Sequence, residues 1–297
     1  MRAIRTELEN THPDYPVLSI LRDEIEMRAG GVKGLTERFP VLVRDAVDFV
    51  LDPVRTARTT LRELDNVEKT FIGLKLEHFV RDMLNVPKEL RDLKIKGMDV
   101  DIKNTVRGNW SIPLETYRAS EPCLLMAVDE SKHTCFLGLV IAKLTYLHAG
   151  KGNRDTKKGI SKTGFANILW LVKNEPFPVS KFNGLNMDRF RKLRKTFLGN
   201  DRVAQFAREN LRRVVHRNVI EALLFDQYDY MKRLRANGGA PDALRHEGIA
   251  ILIGTFRKDR ELARALGFLD LKPDEIVAVR ARSPDDEATM RKEGVIV

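Results

Sequence analysis

Asp101 and Lys103 stand two residues apart in the run Met98-Asp99-Val100-Asp101-Ile102-Lys103. Apolar and charged residues alternate there. As a strand, the run puts Met98, Val100 and Ile102 on one face and Asp99, Asp101 and Lys103 on the other. Side chains two apart on one face are about 6.5–7 Å from each other, so an acid and an ammonium at this spacing can flank one reacting phosphate. Asp92 precedes the partner strand and can swing to the same end of the sheet. Glu77, on the preceding helix, can supply a third carboxylate. Two or three carboxylates offset the charge of a hard divalent cation and leave positions for water and a phosphate oxygen. The cation acidifies bound water and stabilises charge building on phosphorus, and a lysine beside it can orient the water and stabilise the same charge. Without a cation the acids repel each other and the phosphate. The spacing alone is also that of a solvated strand face with alternating charges, and Asp99, in the same row, serves as a ligand as well as Asp92 by period alone.

The elements that must position these residues are legible from periodicity. Residues 61–84 predict a helix: Ile72, Leu76, Phe79 and Met83 form one buried stripe, and Glu77 lies at its margin, on the strip of Gly73, Val80 and Leu84. Residues 92–103 change to period two and predict a strand pair, with Gly97 as a turn or bulge between them. The apolar runs 123–129 and 134–143 are short enough for buried strands. Residues 1–60 read as mostly helical, broken at Thr11-His12-Pro13 and Gly30-Gly31. The fold class is therefore α/β, a mixed sheet flanked by helices. Lys173-Asn174-Glu175-Pro176 opens a stretch to Lys181 with two prolines and no period, which reads as a linker. The expected division is residues 1–172, a linker 173–181, and a mainly helical domain 182–297. In the last, 201–225 predicts a long amphipathic helix, 226–236 a second, and 249–254 and 275–281 short strands. Asn237-Gly238-Gly239-Ala240-Pro241 breaks the helices.

The chain has 297 residues and a formal net charge of +10. Residues 173–297 hold 25 Lys and Arg against 18 Asp and Glu, so the excess is concentrated there. That balance favours a polyanionic partner, nucleic acid first and an acidic membrane surface second. The alternative is a merely soluble basic surface. The two cysteines, Cys123 and Cys135, form no CxxC or Cys/His cluster, so neither structural zinc nor a disulfide framework is expected. No signal-peptide core and no run of about 18 apolar residues is present, which predicts a cytoplasmic protein.

The chain resembles NaeI-type restriction endonucleases, which carry the PD-(D/E)xK nuclease core. The matching stretches are RDAVDFVLDPVRTAR at 44–58, VEKTFIGLKLEHF at 67–79, KGMDVDIK at 96–103, GNWSIP at 108–113, GNRDTKKGISKTG at 152–164 and DYMKRLRANGGAPDALRHEGIAILIG at 229–254. The match runs from about residue 40; the first 40 or so residues match poorly. Position by position, the resemblance implies a helix glutamate at Glu77, a first aspartate at Asp92 rather than Asp99, and Asp-x-Lys at Asp101 and Lys103. Mg2+ would be held by Glu77, Asp92 and Asp101. Ile102 stands where the family's archetype has cysteine, on the core face. The resemblance also implies a C-terminal DNA-binding domain, topoisomerase-like and with a helix-turn-helix, that can hold a second, activating DNA copy. Arg208, Arg212, Arg213 and Arg217, at helical spacing, and Lys232, Arg233 and Arg235 after them, are its candidate phosphate contacts. A solvated basic helix face would look the same. His216 and His246, without a carboxylate in view, read as structural or surface residues. Lys157 and Lys158 could touch DNA, and Trp110 is expected to pack beside the active strand.

The resulting expectation is a Mg2+-dependent type II endonuclease that hydrolyses phosphodiester bonds in double-stranded DNA. It would act as a homodimer on a two-fold site, with a host methyltransferase as its functional companion. The rivals are a nicking or repair endonuclease of the same fold, and a DNA-binding regulator whose nuclease site is inert.

Overall fold

The computed structural model describes residues 4, 6–88, 90–106 and 108–297. They divide into two compact units, one of residues 1–51 and 60–179, the other of residues 52–59 and 180–297.

The first unit opens with α1 (Tyr15–Ala29) and α2 (Gly31–Leu51). Gly30 separates them in a left-handed conformation with φ 92°, which glycine adopts without a Cβ clash. A one-turn helix, α3 (Pro53–Thr56), belongs to the second unit. The first unit resumes with α4 (Asn66–Leu84), β1 (Leu93–Ile95), β2 (Met98–Thr105), β3 (Ser111–Ile112), α5 (Leu114–Arg118), β4 (Pro122–Asp129), β5 (Thr134–Ile141), β6 (Lys158–Gly159), α6 (Lys162–Ala166) and β7 (Leu169–Pro176). The main sheet has the order β1-β2-β4-β5-β7. Only β2 and β4 run parallel; the other neighbours are antiparallel, so the sheet is mixed.

Both faces of this sheet are covered, which is why β4 and β5 read as nearly unbroken apolar runs. Leu124, Met126 and Val128 join one core with α1, α2 and α4. Cys123, Leu125 and Ala127, pointing the other way, join a second core with Trp110, Tyr117, Phe165 and Trp170. Trp110, expected beside the strand of Asp101, is buried against its neighbour β4, where its Nε1 donates to Met126 O at 2.7 Å. Helix α4 starts at Asp65, whose carboxylate accepts from Glu68 N while Glu68 reaches back to Asp65 N, a reciprocal cap. The predicted helix over 61–84 is therefore a short 3-10 turn at Leu61–Glu63 followed by α4. Lys96 and Gly97, both at positive φ, close the β1–β2 hairpin as a two-residue turn, the geometry that matches strand twist. Residues 173–176, read as connector, are instead the end of β7, where Glu175 and Pro176 face Cys135 and Thr134. Among the described residues no helix is long and apolar enough to cross a membrane.

The second unit contains α7 (Met187–Thr196), α8 (Gly199–Glu209), β8 (Val214–His216), α9 (Arg217–Leu223), α10 (Ala240–Leu244), β9 (Ile249–Ile253), α11 (Arg257–Ala265), β10 (Glu275–Arg280) and α12 (Pro284–Lys292). Its antiparallel sheet has the order β8-β10-β9. The two predicted strands are present. The predicted helix 201–225 is not continuous. Asn210 ends α8, Arg212 turns at φ 61°, and β8 intervenes before α9. Amphipathic spacing does not mark the end of α8, because Val214 falls in phase with Val203 and Ala207 of that helix. Residues 226–236 carry only a 3-10 turn, Tyr230–Leu234. Helices α9 and α10 are joined by residues 224–239, longer than the three- or four-residue turn of a compact helix-turn-helix.

Candidate active site

The site is built on the β1–β2 hairpin. Asp92 stands one residue before β1, and its Oδ2 accepts the N–H of Ile102 at 2.8 Å, extending the ladder by a side chain where the strand pairing ends. Asp101 is buried, with 5% of its surface exposed. Its Oδ1 accepts from Lys103 Nζ at 2.5 Å and its Oδ2 from Thr116 Oγ1 at 2.8 Å. Lys103 also donates to Ile102 O at 3.0 Å. Ile102 itself points into the helix-side core, so the alternation expected from the sequence holds on this strand.

Burial pushes the Asp101 carboxyl above the ordinary aspartate range. The Lys103 ammonium and the Thr116 hydroxyl pull it back, while the Asp92 carboxyl, within hydrogen-bonding reach, pushes it up again. Two acids thus crowd one poorly solvated place, where a cation would relieve both burial and repulsion.

Glu77, half-buried on α4, accepts from Arg81 at 3.4 Å; the same guanidinium reaches Asp92 O at 3.5 Å. Glu77, Asp92 and Lys103 line a common cleft of about 690 Å³, together with Lys69, Asn104 and Lys157. Asp101 lies behind this wall, against Lys103. Among the described residues no three His, Cys, Asp or Glu gather as a metal cage. Glu77 shares the cleft but stands with Arg81. The carboxylate pair nonetheless suits Mg2+, which is commonly held by one or two carboxylates, with water and substrate phosphate completing its octahedron. Asp99 does not line the cleft, and its Oδ1 is buried without a hydrogen bond.

Helix α4 comes close to β2 at Gly73, where a Cβ would lie 3.2 Å from Asn104 Cβ. Gly73→Ala gains up to about 1 kcal/mol of helix propensity but must push Asn104 and α4 apart by a few tenths of an ångström. Stability, measured by urea unfolding, should change by less than about 1 kcal/mol, whereas cleavage should fall about tenfold because the Glu77 wall shifts. An unchanged rate would separate Gly73 from the site.

The candidate DNA contacts of the second unit do not share one helix face. Arg208 lies in the last turn of α8 and pairs with Glu247 at 2.6 Å. Arg212 sits in the turn, donates to Leu266 O at 2.7 Å and stacks over Phe268. Arg213 donates to Gly184 O at 2.5 Å. Arg217 starts α9 and donates to Tyr230 Oη at 2.9 Å. Arg233 is held by Gln227 at 2.8 Å. Lys232 and Arg235 are exposed. His216 caps α9 through Asn218 N and pairs with Asp274 Oδ2 at 2.6 Å, a carboxylate partner that sequence spacing did not reveal. Thr116, Arg81 and Lys69 were likewise missed around the cleft; Arg81, four residues after Glu77, was findable from helical ion-pair spacing, whereas nothing in the local sequence marks Thr116 or Lys69.

A mixed sheet that carries Asp-x-Lys on one strand, with a second aspartate at the hairpin's edge and a helix glutamate across a cleft, has the layout of an α/β nuclease core. The chain belongs to the NaeI restriction endonuclease family, whose model, "Restriction endonuclease NaeI", matches residues 33–291. It is 30% identical over 271 residues to the type II restriction enzyme NaeI of Lentzea aerocolonigenes, covering 86% of this chain and 81% of that protein.

Proposed function

We propose that the protein is a cytoplasmic type II restriction endonuclease that cuts both strands of double-stranded DNA with Mg2+. The observation that carries this reading is the cleft shared by Glu77, Asp92 and Lys103, with Asp101 ion-paired to Lys103 behind it. Asp92 and Asp101 would hold the cation, with Glu77 across the cleft as a third acid. Held there, Mg2+ would supply acidification of water and charge stabilisation at the phosphate. Lys103 orients the attacking water and donates to the phosphate oxygen as charge accumulates there. Arg81 keeps Glu77 turned along α4.

The enzyme acts as a homodimer, so that two copies of the site meet the two strands of a two-fold sequence. The second unit holds DNA and can bind a second, activating copy. Supporting this is the excess of Lys and Arg in residues 173–297, and a helix–strand order α8-β8-α9-α10-β9-α11-β10 with β8 beside β10 that shares the strand pairing of a winged helix-turn-helix, with α11 inserted between its last two strands. A host methyltransferase protects the recognition sequence.

Incubation of unmethylated plasmid with Mg2+ tests the reading, alongside size-exclusion chromatography. Linear product and a dimeric elution volume are expected. Nicked circles from a monomer would point to a nicking enzyme, and intact plasmid with Mg2+ or Mn2+ to a DNA-binding regulator. Lys157 is exposed on the cleft wall, where it would meet the backbone of bound DNA. Lys157→Ala should weaken DNA binding for all sequences alike and lower the slope of log K against log salt by about 1. An unaltered slope in anisotropy titrations would remove Lys157 from the phosphate contacts.

A further inference from the structure

The Asp101 carboxylate is held from two sides, and only one holder belongs to the Asp-x-Lys pattern. Lys103 takes Oδ1; the other oxygen takes the hydroxyl proton of Thr116 at 2.8 Å. Thr116 lies on α5, fifteen residues along the chain, with 1% of its surface exposed. It is not among the residues lining the cleft. Buried hydroxyls find partners, and a helical threonine commonly turns back to a carbonyl of the preceding turn. Thr116 gives its proton to Asp101 instead.

The hydroxyl is not what holds α5 in place. Pro113, extended at ψ 159°, starts the helix, and Tyr117, the next residue, is buried in the core with Trp110 and Cys123. Removing one oxygen atom from Thr116 therefore leaves the helix anchored by its apolar contacts. The consequence falls on Asp101. The terminal torsion of an aspartate is soft, and an ammonium on one oxygen fixes a distance but not the plane. A second donor on the other oxygen fixes the plane too. Asp92 is held on one oxygen by a backbone donor, the Ile102 N–H.

We propose that Thr116 is a positioning residue for DNA cleavage: its hydroxyl locks the plane of the Asp101 carboxylate beside that of Asp92, so that the pair presents a preformed edge to the divalent cation. This rests on the nuclease reading above. Partners that orient metal-binding groups typically change metal affinity or activity by about 10–100-fold when removed.

Thr116→Val, which keeps the shape and loses the hydroxyl, and Thr116→Ser, which keeps the hydroxyl, test it in the full-length protein. Four quantities are measured: Mn2+ affinity by calorimetry, single-turnover cleavage against Mg2+ concentration, DNA affinity by anisotropy in Ca2+, and thermal melting. Thr116→Val is expected to bind Mn2+ about 10–100-fold more weakly and to need correspondingly more Mg2+ for half-maximal cleavage, with DNA affinity unchanged. Thr116→Ser is expected to restore Mn2+ affinity to within about threefold of the parent, since the hydroxyl is retained. Wild-type metal affinity and cleavage in Thr116→Val, with Lys103→Ala inactive, would overturn the role of Thr116 alone. Equal losses in the valine and serine variants, tracking a lowered melting temperature, would make Thr116 merely structural. Intact DNA after incubation of the parent protein with Mg2+ or Mn2+ would overturn the nuclease reading itself.

Discussion

Lys103→Ala is expected to lower the cleavage rate by about 10²–10³ while DNA binding and metal binding persist. The reasoning is local. The ammonium is the one cationic donor of the Asp-x-Lys pair, it lines the cleft, and it remains 22% exposed, so it can reach a substrate oxygen. Removing it deletes a donor aimed where charge develops, and leaves Asp92 and Asp101 to hold the cation. The loss should appear in the single-turnover rate and not in the dissociation constant for DNA. Undiminished cleavage would remove Lys103 from the chemistry.

Asp101→Asn should be the more damaging change, with cleavage lost by on the order of 10³-fold or more, because the charge stabilisation contributed by a bound cation is worth several kcal/mol. The amide oxygen can still accept from Thr116. Its NH2 group, however, faces the Lys103 ammonium, donor against donor. Half of the acid pair is gone, so Mn2+ binding by calorimetry should fall with activity. The two variants thus divide the roles: both lose rate, and only Asp101→Asn loses metal. The substitution also removes a buried charge whose protonation burial already favours, so the melting temperature should hold within a few degrees, a small ΔΔG for a chain of this size. A large drop in melting temperature would show that Asp101 is there to hold the fold.

The divided legibility of this chain has physical causes. The β1–β2 hairpin and α4 were legible because period two, a turn glycine at Gly97 and a stripe of Ile72, Leu76 and Met83 are all local signals, although Phe79 of that stripe is only partly buried. Those elements carry Glu77 and Lys103 to one cleft, whereas period alone left Asp92 and Asp99 open and only Asp92 lines it. Thr116 was not legible, because its bond to Asp101 depends on where α5 packs, and packing is not periodic. The helix expected over 201–225 failed for the opposite reason: Val214-Val215-His216 continues an apolar stripe, yet pairs with β10 through Glu275, Ile276 and Val277. Tertiary pairing overrode a local preference. The arginines read as one basic face were scattered by that same break, and most of them now hold loops and turns inside the second unit.

The most direct test is digestion of a mixed, unmethylated DNA library with Mg2+ by the parent protein and by Asp101→Asn, followed by sequencing of the new ends. The account predicts ends at one short sequence, present with the parent and absent with the variant. An untouched library, or the same ends from Asp101→Asn, would contradict it.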